Sequence, residues 1–186
     1  MKSFQGTKEF RPLPAEIHID GEKYELDQFH FHTPSEHRID GKHADIEQHL
    51  VFQSETGKVS VVAVLYNAGT KESKYMKPII DNLPKNEGEK KEIEKVRLSS
   101  LLNDVKNITQ SFTYSGSLTT PPCTEGVTWY VNQEIQKVST NQFSELRDVI
   151  GFNSRFTQLR ESDQIDTSSY KSKKRSLYTH SRFSKF

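Results

Sequence analysis

Residues 28–51 read QFHFHTPSEHRIDGKHADIEQHLV, and this stretch decides how the chain folds and what it holds. Its opening, Gln28-Phe29-His30-Phe31-His32, alternates polar and aromatic side chains, the period-2 pattern of a strand with one apolar face. Residues two apart on a strand point to the same side, so His30 and His32 present their imidazoles together. Thr33-Pro34-Ser35 breaks that strand, Asp40-Gly41 marks a tight turn, and a new strand runs from about Asp45 to Gln53. Sixteen residues separate His32 from His49. If the two strands pair antiparallel, His49 reaches the same spot. Three neutral imidazoles leave zinc one open position, the arrangement of a catalytic rather than a structural site. Gln28 precedes His30 by two and Glu47 precedes His49 by two. Each therefore shares its histidine's face and can accept the ring N–H on the nitrogen that does not face the metal.

Working outward, Ile17 and Ile19 alternate up to a turn at Asp20-Gly21, and Tyr24 and Leu26 continue the pattern into the histidine strand, which makes a hairpin. Lys58 to Tyr66 (KVSVVAVLY) is β-branched and nearly continuous in apolar character, the mark of a central strand buried on both faces. Glu72 to Leu83 has helical spacing, with Tyr75, Met76, Ile79, Ile80 and Leu83 on one side; Pro78 sets the first turn near Lys77. Glu87 to Lys95 is a charged surface loop, and Leu98 to Leu102 a short strand or turn. Ser111 to Tyr114 and Val127 to Val131 read as strands flanking Leu118-Thr119-Thr120-Pro121-Pro122. Ser139 and Gln142 have capping-box spacing at the head of a helix to Ile150, with Phe143, Leu146 and Ile150 on one face. Strands dominate. The fold class is mainly β, with short peripheral helices.

At 186 residues the chain suits one domain: an irregular segment over 1–15, a folded domain over 16–165, and a tail over 166–186. Past Asp166 there is no acidic residue while lysines and arginines accumulate, which reads as a disordered basic tail. The formal net charge is +1, so no bulk field points to nucleic acid or a membrane surface. No apolar run approaches the roughly 20 residues that span a bilayer. The first eight residues lack the apolar core of a signal peptide. With one cysteine, Cys123, neither an internal disulfide nor a thiolate cluster is available, so a metal must be held by imidazole and carboxylate.

These residues resemble a known family. The stretch from Gln28 to Val51, with YSGSLTTPPCTEGVTWYV (residues 114–131), resembles the two signature regions of the alpha-class carbonic anhydrases, the bacterial ones above all. Asn153-Ser154-Arg155-Phe156-Thr157-Gln158 is similar to a third segment, with Phe156 where the family has proline. The resemblance implies a large, twisted, mostly antiparallel sheet with zinc at the bottom of a conical cavity, and reversible hydration of carbon dioxide to bicarbonate. It places the zinc ligands on His30, His32 and His49, and Gln28, Glu47 and Asn153 behind them. It makes Glu36 and Thr119 the pair that orients the attacking oxygen, Glu36 accepting the Thr119 hydroxyl proton. The Thr119 backbone N–H would stabilise a substrate oxygen and Thr120 would contact bicarbonate. Val51, Val61, Leu118, Val127 and Trp129 would form the apolar wall that receives carbon dioxide. His37 matches a buried structural histidine, while His18, His43 and His180 are surface residues.

Family members carry some tens of residues before the region that begins here, including a strand with a proton-shuttling histidine. None of this appears before Glu16. The chain therefore reads as N-terminally truncated, with no shuttle to assign and Cys123 without the partner it often has in bacterial relatives. Family habit points to the periplasm or exterior. Two other readings are weighed beside the enzyme. One is a catalytically weak carbonic-anhydrase-like binding module. The other is a cupin-like metal protein in which Glu36 is a fourth ligand, against which stand the absence of glycines before His49 and the lack of a role for LTTPP.

Overall fold

A computed structural model describes residues 15–84, 110–158 and 184–185. The expected loop at 87–95, the strand or turn at 98–102 and His180 lie outside the described residues, as does almost all of the basic tail.

The first two strands, β1 (Glu16–Ile19) and β2 (Glu22–His32), form the expected hairpin. Its turn residues Asp20 (φ 50°) and Gly21 (φ 80°) both adopt the left-handed conformation that a two-residue hairpin matched to strand twist requires. Asp40 (φ 51°) and Gly41 (φ 75°) repeat the device between β3 (Arg38–Ile39) and β4 (Lys42–His43). Next come β5 (Ile46–Ser54), β6 (Val59–Gly69), α1 (Met76–Asp81), β7 (Ser111–Ser117), β8 (Glu125–Asn132), β9 (Gln136–Ser139), α2 (Thr140–Ile150) and β10 (Ser184–Lys185). Eight of the strands make one sheet in the order β1-β2-β5-β6-β8-β7-β10, with β9 also on β6. Pairing is antiparallel except where β6 meets β8 and β9 in parallel. The sheet is mixed, and β6 sits at its centre as its apolar run requires.

The two faces of the sheet have different tasks. Phe29 and Phe31 of β2, Leu50 and Phe52 of β5, and Val62, Val64 and Tyr66 of β6 face a core closed by Met76, Ile79 and Ile80 of α1 and Leu146 of α2. On the opposite face Val51, Val61, Ala63, Leu65, Val127, Trp129 and Val131 pack together. Strict alternation along β2 would put Tyr24, Leu26, Gln28, His30 and His32 on one side. They are not on one side. Leu26 pairs with Phe52 but Gln28 with Val51, so Asp27 is an extra, bulged residue. Tyr24 and Leu26 thereby join the phenylalanine core, and the histidines turn to the other face.

Three elements differ from the sequence reading. The helix expected over 72–83 is only Met76–Asp81, because a separate turn (Lys77 N–H to Ser73 C=O, 3.1 Å) precedes it and Pro78 can stand only in a first turn. Tyr75 and Leu83 are nevertheless buried with it. Strand β9 was not foreseen, its four residues being too short for alternation to register. In the tail read as disordered, Ser184–Lys185 pairs with Phe112 and Thr113 of β7. The second helix starts as expected: the Ser139 side chain accepts from Gln142 N–H and the Gln142 side chain from Ser139 N–H.

Candidate metal centre

Strands β2 and β5 pair so that His30 stands directly opposite His49, with His32 opposite Glu47. His32 and His49 are 1 % exposed and His30 8 %, so water cannot satisfy their ring nitrogens. Their hydrogen bonds fix the tautomers. His30 Nδ1 lies 2.8 Å from Gln28 Oε1, His32 Nδ1 3.2 Å from the carbonyl oxygen of Asn153, and His49 Nε2 2.6 Å from Glu47 Oε1. Each partner is an acceptor, so each of these nitrogens donates, and in the neutral ring the other nitrogen carries a lone pair. Those other nitrogens converge: the three residues offer ligand atoms all within 4.8 Å of one another.

The convergence fits a metal and little else. His30 Nε2 and His49 Nδ1 lie 3.2 Å apart, yet in these tautomers neither has a proton to give the other. His32 Nε2 is buried with no hydrogen-bond partner. Zinc–imidazole bonds of about 2.0–2.1 Å on a tetrahedron set neighbouring nitrogens about 3.3–3.4 Å apart, close to the spacing found. Two of the rings, His30 and His32, resist protonation. Burial, then the neighbouring His49 and His32, pushes His30 down to about 2, and burial followed by His49 lowers His32.

Behind His49 the carboxylate of Glu47 is fully buried and accepts three hydrogen bonds, from His49 Nε2 (2.6 Å), His37 Nδ1 (2.5 Å) and His37 backbone N–H (2.7 Å). Burial opposes its charge, but His37 and His49 hold it well below the usual carboxylate range; burial likewise opposes the charged form of His37, and Glu47 raises it. His37 Nε2 lies 2.7 Å from the Tyr114 hydroxyl. His37, Glu47 and His49 are a second group with metal-ligand spacing, but Glu47 Oε1 already serves both rings as a hydrogen-bond acceptor. Tyr114 was missed in the sequence; its signal is its place on the strand that leads into the LTTPP loop.

Asn153 acts on His32 through its backbone, and its side chain does different work. Its Oδ1 accepts from Thr33 N–H (2.9 Å) and its Nδ2 donates to Phe31 C=O (2.9 Å), clamping the end of β2. Ser154 Oγ donates to Pro34 C=O, Thr33 Oγ1 to Gly151 C=O, and Arg155 N–H to Glu36 Oε1 at 2.8 Å. The segment Gly151–Arg155 thus wraps residues 31–36. Arg155 was not foreseen, since a backbone donor leaves no mark on residue type.

Glu36 differs from its expected arrangement. Among the described residues no hydrogen bond joins it to Thr119, and its Oε2 is buried without a partner. That oxygen lies 4.0 Å from His49 Nε2. Its carboxylate is therefore turned toward the backs of the histidine rings, nitrogens that face away from the point where the three rings converge. Thr119 is half-buried and Thr120 exposed in the loop after β7. Val51, Val61, Val127 and Trp129 share one cluster on the histidine face, with Leu118 packed on it, and the Trp129 ring centroid is 4.8 Å from that of His49. His18 is exposed, and exposed His43 bonds Ser35 C=O and Arg38.

The family model for eukaryotic-type carbonic anhydrase matches residues 9–168. A carbonic anhydrase of Nostoc sp. is 40% identical over 138 residues, which cover 74% of this chain and 51% of the relative. The alpha-carbonic anhydrase of Photobacterium profundum superposes with a TM-score of 0.76 at 35% identity, over 82% of this chain and 70% of that one. The alpha-carbonic anhydrase of Thermovibrio ammonificans, solved in complex with the inhibitor sulfanilamide, gives 0.71 at 36% identity, over 77% and 63%. This chain spans about half the length of several curated relatives it matches.

Proposed function

The chain belongs to the eukaryotic-type, or alpha-class, carbonic anhydrase family, and we propose that it holds zinc on His30, His32 and His49 and catalyses the reversible hydration of carbon dioxide to bicarbonate and a proton. One observation carries this reading: three buried imidazoles converge with ligand nitrogens within 4.8 Å of one another, and His32 Nε2 among them has no hydrogen-bond partner. When bound, zinc supplies a Lewis-acidic vertex at which water ionises near neutral pH, an effect for which carbonic anhydrase is itself the standard illustration. The residues around that vertex have separable tasks. Gln28, Glu47 and the Asn153 carbonyl hold the three rings in ligating tautomers.

Glu36 Oε2 is a buried carboxyl oxygen without a partner, and the Thr119 hydroxyl is the donor this reading gives it. A threonine that donates to a carboxylate can only accept from its other side. It would thereby orient an attacking oxygen toward the substrate carbon. Val51, Val61, Leu118, Val127 and Trp129 offer an apolar surface that suits a nonpolar substrate and excludes water. Thr119 N–H and Thr120 would meet the substrate oxygens.

Metal analysis and stopped-flow hydration of carbon dioxide on the zinc-loaded chain test the reading together. One zinc per chain, lost in His32→Ala, with a hydration rate that sulfanilamide suppresses is the expected result. The unformed Glu36–Thr119 bond favours the second reading, a zinc-holding binding module, which one zinc per chain with no rate above buffer would establish. No stoichiometric zinc would overturn both.

A further inference from the structure

A chain of contacts leads from the metal ligand His49 out to a residue with no side chain. Glu47 Oε1 joins His49 to His37, and His37 Nε2 meets the Tyr114 hydroxyl at 2.7 Å. The Tyr114 ring lies nearly parallel to Trp129, 9° between planes and 6.0 Å between centroids. Two residues on, Gly116 faces the same side of β7. A Cβ there would stand 2.8 Å from Tyr114 Cε2 and 3.3 Å from Trp129 Cδ1.

The backbone does not explain this glycine. Gly116 is absent from the residues with positive φ, whereas Gly126, the bulged residue opposite it, has φ 86°. An alanine fits the conformation at 116 and lacks only room. Trp129 cannot make that room: it is 1 % exposed, it donates to Ser117 C=O at 3.1 Å, and its ring centroid is 4.8 Å from that of His49 and 5.1 Å from that of His37. Tyr114 is half-buried and is the partner that gives way. The crowded atom, Cε2, is bonded to the ring carbon that bears the hydroxyl, so displacing it displaces the bond to His37.

We infer that Gly116 is a positioning residue for the metal centre: the empty space at its α-carbon seats Tyr114, which through His37 and Glu47 orients His49. The inference rests on the zinc reading above and deepens it. Outer partners of ligating histidines change metal affinity by about 10–100-fold when removed, and a contact two links further out belongs at the low end of that range.

The experiment is a double-mutant cycle on the purified chain, reading zinc affinity by competition with a chromophoric chelator beside the melting temperature of each metal-free protein. Gly116→Ala and Tyr114→Phe are each expected to weaken zinc binding about tenfold, and the double variant no more than the weaker single, because both act through one hydroxyl. Gly69→Ala is the control, a glycine with nothing within 4 Å of a built Cβ, and should bind zinc as the parent does. The cobalt(II) visible spectrum of Gly116→Ala should also shift, which a loss of packing alone would not produce. Wild-type affinity in Gly116→Ala, or losses that multiply in the double variant, overturn the inference while leaving the zinc reading intact. A parent chain that binds no zinc overturns both. If Gly116→Ala does not fold, Tyr114→Phe decides, and unchanged affinity there refutes the relay.

Discussion

At the scale of single residues the site is a matter of which nitrogen carries a proton. Glu47 can only accept, and it receives three donors at once. Glu47→Gln would turn an NH2 toward at least one of those donors. Zinc affinity should then fall about 10–100-fold with the fold retained, read by chelator competition; parent-like affinity would mean that Glu47 does not set the His49 tautomer. Protons compete through His30 and His32, whose burial lowers both. Between about 6.5 and about 2 the unfolded chain binds a proton that folded His30 refuses, so stability declines as pH falls through that window. His37 shifts the other way; its contribution is complete below its ordinary value and does not mask the decline. Melts of metal-free protein at pH 6.5 and pH 5 should therefore show the lower temperature at pH 5, and no difference would contradict a buried His30 and His32 that resist protonation.

Among the elements, β2 and α2 carry separate lessons. The parity of β2 gave His30 and His32 one face correctly, but the side on which that face lies depends on Asp27. Removal of a bulged residue inverts every side chain beyond it. Nothing in the composition of Leu26-Asp27-Gln28 announces the bulge; the register of β5 reveals it. Helix α2, by contrast, was legible to its first residue because a capping box is a local hydrogen-bond motif. Ser139→Ala should cost about 1 kcal/mol of stability in a denaturant melt. Zinc affinity should stay put, since α2 packs on the face opposite the histidines. A large drop in affinity would mean that the two faces are coupled.

For the molecule as a whole, a metal held between β2 and β5 would bind the folded chain and not the unfolded one. Melting temperature should then rise with free zinc and fall to the metal-free value with a chelator; no shift would argue against a site preformed by the fold. No helix among the described residues is long and apolar enough to cross a membrane. Most of the strands, both glycine turns and the pairing of the three histidines could be read from the sequence, because alternation and turn chemistry are properties of neighbouring residues. The sequence by itself determined that His30 and His32 share a face and that His49 could join them. Tertiary structure alone decided the rest. It placed the carbonyl of Asn153 on His32 across 121 residues, the hydroxyl of Tyr114 on His37 across 77, and turned the histidines away from the phenylalanine core. Those contacts depend on strand order and register, which arise only when distant segments pack, and a backbone carbonyl or a bulge leaves no residue type by which to foresee it.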